Sequence, residues 1–159
     1  MTEAIATWFN EALSGFLPPE LIVFIVSMIP ILELRGGMII ASLYGFPLLK
    51  AFGICILGNI IPVPLIIWLV TPAFAWLKKR NVFRPMVEEL EAKAMGKSEK
   101  IRKASFWGLL IFVGIPLPGT GAWTGSLIAA LLDLDKKKSC LAAVLGVIMA
   151  SVIMALISY

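Results

Sequence analysis

The chain contains no histidine, so it lacks the commonest metal ligand and general base. It has only two cysteines, Cys55 and Cys140. Both sit in or beside apolar stretches, where a thiol is usually a small packing residue, and neither has the spacing or partners of a disulfide or metal site. Charge is scarce at 15% of residues, against about 25% in ordinary soluble domains. Residues 104–135 hold no Lys or Arg. No nucleophile stands with a visible base, so no catalytic residue, metal or cofactor is expected and the chain does not read as an enzyme.

What is present in excess is apolar sequence: 60% of residues are hydrophobic and the mean hydropathy is +0.96. Long apolar runs at that level define an all-α integral membrane protein. At 159 residues it is expected to be a single membrane domain, 1–159. The first sixteen residues, MTEAIATWFNEALSGF, carry no Lys or Arg, unlike the basic start of a signal peptide.

The basic residues are unevenly placed. Residues 78–103 hold nine Lys/Arg against four acids, and Lys136, Lys137 and Lys138 add three. Only Arg35 and Lys50 lie elsewhere. Such clustering reads as the positive-inside bias of a membrane protein, with no nucleic-acid partner expected.

Along the chain, residues 3–16 have helical apolar spacing with Trp8, Phe9 and Phe16 as aromatic anchors, an interfacial amphipathic helix within a segment 1–17. Residues 21–32 are apolar but too short to span, at about 18 Å of helix against a core of about 30 Å. The run is broken by ELRGG and resumes over 38–49. Residues 51–76 are long enough to cross, with a kink expected at Gly58, Pro62 and Pro64. Residues 78–103 read as a polar surface helix, broken near Gly96, with a weak stripe of Val82, Phe83, Met86, Val87, Leu90 and Ala94.

The pattern then restarts: a short arm over 106–115, a break at IPLPGTGAWTG, a short arm over 126–134 and a full span over 140–157. Ile29-Pro30 matches Ile115-Pro116, Gly37 matches Gly125, and Leu57-Gly58 matches Leu145-Gly146, an internal repeat of 18–77 on 104–159. If every long apolar block spanned, the two basic regions would face opposite sides. If 21–49 and 106–134 are re-entrant hairpins, both basic regions face the cytoplasm. The expected architecture is therefore an inverted repeat of re-entrant helical hairpin plus transmembrane helix, with an N-terminal interfacial helix, a design found in secondary transporters.

A bare turn cannot face lipid, so the two tips should meet. Pro30, Gly36, Gly37, Pro116, Pro118, Gly119, Gly121 and Gly125 are the tip residues, with the glycines making the turns. Gly121 and Gly125 also form a GxxxG, which permits close helix packing. A glycine turn opening a half-helix offers free N–H groups to an anion, with Thr120, Trp123 and Thr124 nearby. Glu33 is the acid at membrane depth and the candidate proton carrier. Arg35 keeps its charge and could hold an anion, or could hold Glu33.

ELRGG with its apolar arm, together with PLPGTGAWTGSLIAALL, resembles the small multidrug export protein family, a distant branch of the DedA (VTT-domain) superfamily. The resemblance covers nearly the whole chain and implies opposed re-entrant hairpins in a prokaryotic inner membrane. Several DedA members are linked to undecaprenyl phosphate recycling driven by the proton-motive force. The chain departs from the central DedA pattern in lacking arginines in its second half and an acid after PLPG.

The leading expectation is thus a DedA-like, proton-coupled small membrane transporter. It would move an amphipathic or anionic substrate, with Glu33 coupling protons and Arg35, Thr120, Trp123 and Thr124 binding. Alternatives are a polyprenyl-phosphate (undecaprenyl phosphate) carrier flippase and a non-transport membrane factor. Expected partners are membrane lipids and a small-molecule or lipid-phosphate substrate, and self-association is open to a chain this small. Residues 78–103 and 136–138 are expected in the cytoplasm.

Overall fold

The computed structural model describes residues 2–159, and every regular element among them is a helix. In order these are α1 (Thr2–Leu13), α2 (Pro19–Met28), α3 (Glu33–Leu43), α4 (Leu48–Ile60), α5 (Pro62–Lys78), α6 (Arg84–Gly96), α7 (Glu99–Gly114), α8 (Ala122–Leu131) and α9 (Lys136–Ser158). Proline and chain chemistry set the boundaries. Pro19 and Pro62 sit in the first turns of α2 and α5, where a missing N–H costs nothing. Ile29 and Ile115 are both extended ahead of a proline and end α2 and α7. Asp135 caps α9 by accepting from the Lys138 N–H at 2.8 Å.

Two stretches are long and apolar enough to cross a membrane: 48–78, with its break at Ile61, and Lys136–Ser158. The break falls where Gly58, Pro62 and Pro64 predict it. At about 1.5 Å per residue these run to roughly 46 and 34 Å, enough for a core of about 30 Å. Their outward faces are as apolar as their inward ones: Leu65, Trp68, Leu69 and Trp76 on α5, and Leu141, Leu145, Val152 and Leu156 on α9, are exposed. A helix that is hydrophobic all round belongs in a large core or a bilayer, and a chain of this size has no large core. The inward face of α9 is a stripe of Ala142, Ala143, Gly146, Ala150, Ser151 and Ala155. Small residues of this kind let neighbouring helices approach closely.

The ends of the elements sort into two groups. At one end Ser42 donates to the Ser158 carbonyl (2.7 Å), Tyr159 donates to the Phe46 carbonyl (3.0 Å), Tyr44 bonds Asn10, and Lys50 pairs with Glu20. At the other, Ser105 and Phe106 share a small pocket with Asp135, Lys138 and Ser139, and Lys78 pairs with Glu91. The Lys50 ammonium holds the Glu20 carboxyl below its usual range.

The two halves pack alike. In the first, a Cβ on Gly37 would strike the Ser27 side chain, and one on Gly58 would lie 2.7 Å from the Phe24 carbonyl and 2.9 Å from Ser27. In the second, a Cβ on Gly125 would lie 2.7 Å from Val113, and one on Gly146 2.7 Å from Val113 and 2.8 Å from the Leu110 carbonyl. Ser27 matches Val113 and Phe24 matches Leu110 when Ile29-Pro30 is laid on Ile115-Pro116.

Three local expectations change. Residues 14–16 are turn rather than helix, so α1 ends at Leu13. The stripe over 82–94 is mostly exposed: Val87 and Ala94 are buried, Val82, Phe83 and Met86 are exposed, and Leu90, also exposed, lines a cavity. Finally, α7 is kinked at Ser105, which takes a positive φ of 47° and starts a new helical direction that the sequence does not signal.

Candidate functional site

The first tip is built differently from its glycine-turn reading. The turn spans 29–32, and Glu33 itself takes the left-handed conformation, with φ 48°. Gly36 and Gly37 lie inside α3 and are buried. Their missing side chains admit Val26 and Leu32 at Gly36, and Ser27 and Cys55 at Gly37. A non-glycine residue in left-handed backbone costs about 1–3 kcal/mol and marks a place the surroundings enforce.

What enforces it is the second tip. Helix α8 begins at Ala122, with Gly121 as its N-cap residue and no side-chain cap of its own. Its first N–H groups are met instead by the Glu33 carboxylate, which accepts from Ala122 N at 3.2 Å and from Trp123 N at 3.1 Å. Glu33 is 3% exposed. A carboxylate at the positive end of a helix is favourably placed, here across some 90 residues of chain. Gly121 has φ 128°, and a Cβ on it would lie 2.0 Å from Glu33 Oε2. Only glycine lets that carboxylate in.

Arg35 faces the other half of the same loop. Its Nη1 donates to the Leu117 carbonyl at 2.6 Å and its Nη2 to the Thr120 carbonyl at 2.9 Å. Pro116 and Pro118 have no N–H, so the loop is rich in acceptors and short of donors. Thr120 adds one, its hydroxyl donating toward the carbonyls of Ile115 and Leu117 at 2.8 Å. Trp123 closes the junction from below, its indole N–H donating to the Met28 carbonyl at the end of α2 (2.9 Å).

Glu33 and Arg35 therefore do not pair with each other: the ion pairs among the described residues lie elsewhere. Each instead binds the backbone of the opposite tip. Arg35's bonds are 2.6 and 2.9 Å, while Glu33's, at 3.1 and 3.2 Å, are at the long end of the N–H···O range. The carboxylate is the looser of the two joints.

The structure thus brings Glu33, Arg35, Thr120, Trp123, Gly119 and Gly121 together. Gly125 stands apart, packed inside α8 on Leu109 and Val113. Pro30, Trp123 and Thr124 line a cavity of about 380 Å³ with Ile66, Val70, Phe74, Leu90 and Leu127. Sequence reasoning missed these apolar walls, and it missed Lys97. From the far end of the basic segment, Lys97 Nζ donates to the Gly119 carbonyl at 2.9 Å. The donor-poor Pro-Leu-Pro-Gly run signalled that such a partner was needed, but not which residue would supply it.

Apolar long helices around a junction of two broken tips, with the Glu33 carboxylate buried in it, define a helical membrane protein with a polar site. More narrowly, the chain belongs to the family described as "Putative small multi-drug export protein", which matches residues 33–153, from Glu33 into α9. No curated protein and no solved structure matches it.

Proposed function

We propose that the protein is a proton-coupled membrane transporter of small amphipathic molecules, with the Glu33 junction as its gate. The observation that carries this is the carboxylate of Glu33 holding Ala122 N and Trp123 N. Ionised, it is a helix cap joining the two tips. Protonated, it loses the charge that binds the helix dipole, and the looser joint opens while Arg35 keeps its hold. An export function follows the family description.

The scaffold we propose is the inverted repeat of re-entrant hairpins. The matched glycine contacts of the two halves support the repeat. The grouping of ends supports the hairpins: α2 begins and α3 finishes beside the end of α9, while the arm from Ser105 and the loop after α8 meet beside its start. With twelve of fourteen Lys/Arg on the second side, that side is the cytoplasmic one, in a prokaryotic inner membrane.

The rival reading, a polyprenyl-phosphate flippase, needs the Arg35 guanidinium free for a phosphate. Both of its terminal nitrogens are engaged on carbonyls, which favours the amphipathic-substrate reading. The test is flux in proteoliposomes of purified protein, which should follow an imposed pH gradient. Glu33→Gln should abolish that dependence, and undiminished gradient-driven flux in Glu33→Gln would sink the proton role.

A further inference from the structure

The PLPGTG loop is an acceptor site already filled by cations. Its carbonyls at Leu117 and Thr120 are taken by Arg35, and its carbonyl at Gly119 by Lys97. The two cations are not equally committed. Arg35 is half-buried and two-pronged, whereas Lys97 is exposed and makes one bond from a flexible stem. Gly119 has φ 78°, a conformation that favours glycine, and a Cβ there would lie 2.5 Å from the Lys97 ammonium, so a larger residue would push that flexible stem aside.

Lys97 also lies close to the apolar cavity. Lys97 is the C-cap of α6, whose Leu90 lines that cavity, and Trp123, four residues after Gly119, lines it too. The cavity wall holds two aromatic rings, Phe74 and Trp123, and no charged residue. An apolar cavity with aromatic walls, one of whose rings, Trp123, stands four residues from a carbonyl occupied by an exposed ammonium, fits one ligand chemistry.

We propose that Lys97 is a tethered stand-in for substrate. The transported molecule is an amphipathic cation bearing N–H donors, a primary ammonium or guanidinium, whose head replaces the Lys97 ammonium at the Gly119 carbonyl while its apolar body fills the cavity. This rests on the reading of the junction and cavity as the substrate site. Exchange of one cation for another leaves the charge of the junction unchanged, so Glu33 and Arg35 need not move for binding.

The probe is 4-phenylbutylammonium, with its N,N,N-trimethyl analogue and 5-phenylpentanoate as controls. The reporter is maleimide labelling of Val70→Cys in full-length protein in lipid nanodiscs, with Cys140→Ser and the buried Cys55 retained. Leu127→Cys reports the same cavity if Val70→Cys fails to assemble. The primary ammonium should slow labelling, while the trimethyl compound, which has no N–H, and the carboxylate should not. Lys97→Gln should lower the half-protecting concentration, by about tenfold for an internal competitor that fills the position about nine-tenths of the time. Lys97→Arg, which keeps a cation there, should leave the concentration near that of the parent.

A merely structural lysine would give the opposite sign, since its loss would weaken binding. Absent protection by the ammonium, equal protection by the carboxylate, or an unchanged or raised half-protecting concentration in Lys97→Gln would each overturn the proposal. Protection without gradient-driven flux would overturn the transporter reading and leave this binding site standing.

Discussion

The first tip, residues 29–37, brings a carboxylate and a guanidinium. The second, residues 115–125, has no ionisable side chain and answers with backbone alone: N–H groups at the start of α8 for Glu33, and carbonyls of a proline-broken loop for Arg35. Each tip is incomplete by itself. Two charges without partners are costly at membrane depth, and an uncapped helix start beside a donor-poor loop leaves backbone groups that lipid cannot satisfy. Joined, each supplies what the other lacks. The contact that matters pairs side chain with backbone, so the two tips differ in composition and still complete each other.

The comparison can be broken most completely at Gly121. Gly121→Ala should show the largest loss of thermal stability in detergent: about 1–3 kcal/mol from the strained backbone, plus expulsion of Glu33 by the new methyl. A melting temperature close to wild type would mean that the carboxylate does not occupy the start of α8.

Glu33→Ala comes next, orphaning two buried donors at about 1–3 kcal/mol each. Glu33→Gln should recover part of that loss, because its amide oxygen can still accept one N–H, yet it should not recover pH-dependent flux. Equal stability of the two variants would argue against the capping role.

Arg35→Lys sharpens the other arm. One ammonium cannot span the Leu117 and Thr120 carbonyls as the guanidinium does, and a loss of about 1.5–3 kcal/mol is expected, the worth of one charged hydrogen bond. Chemical denaturation at neutral pH would read it. The smallest effect belongs to Trp123→Phe, which keeps the ring in the cavity wall and removes the bond to Met28: about 0.5–1.5 kcal/mol, with gradient coupling retained.

Much of this was legible beforehand, and for identifiable reasons. Prolines and glycines punctuate loops, so the extended Ile29 and Ile115 and the turn at Gly119 and Gly121 could be placed from residue type, whereas Pro64 and Pro72 lie inside α5 without ending it. The meeting of the tips followed from the cost of bare backbone in lipid. The role of Gly36 and Gly37 was misread because a glycine that bends the chain and one that admits a neighbour look the same in sequence. Here the neighbours were Leu32, Ser27 and Cys55. The positive φ of Ser105 left no mark because serine is unremarkable in either conformation.

By itself, then, the sequence determined the apolar spans, the two broken segments, the charge asymmetry and the candidacy of Glu33 and Arg35. All of these are properties of residue type and local order. Only the tertiary structure decided that these two residues form no ion pair with each other, that Glu33 caps α8, that Arg35 and Lys97 share one loop, and that an apolar cavity lies beside them. Those partners are backbone atoms tens of residues away. Every residue has a carbonyl and nearly every one an N–H, so no residue type records which of them a distant side chain will find.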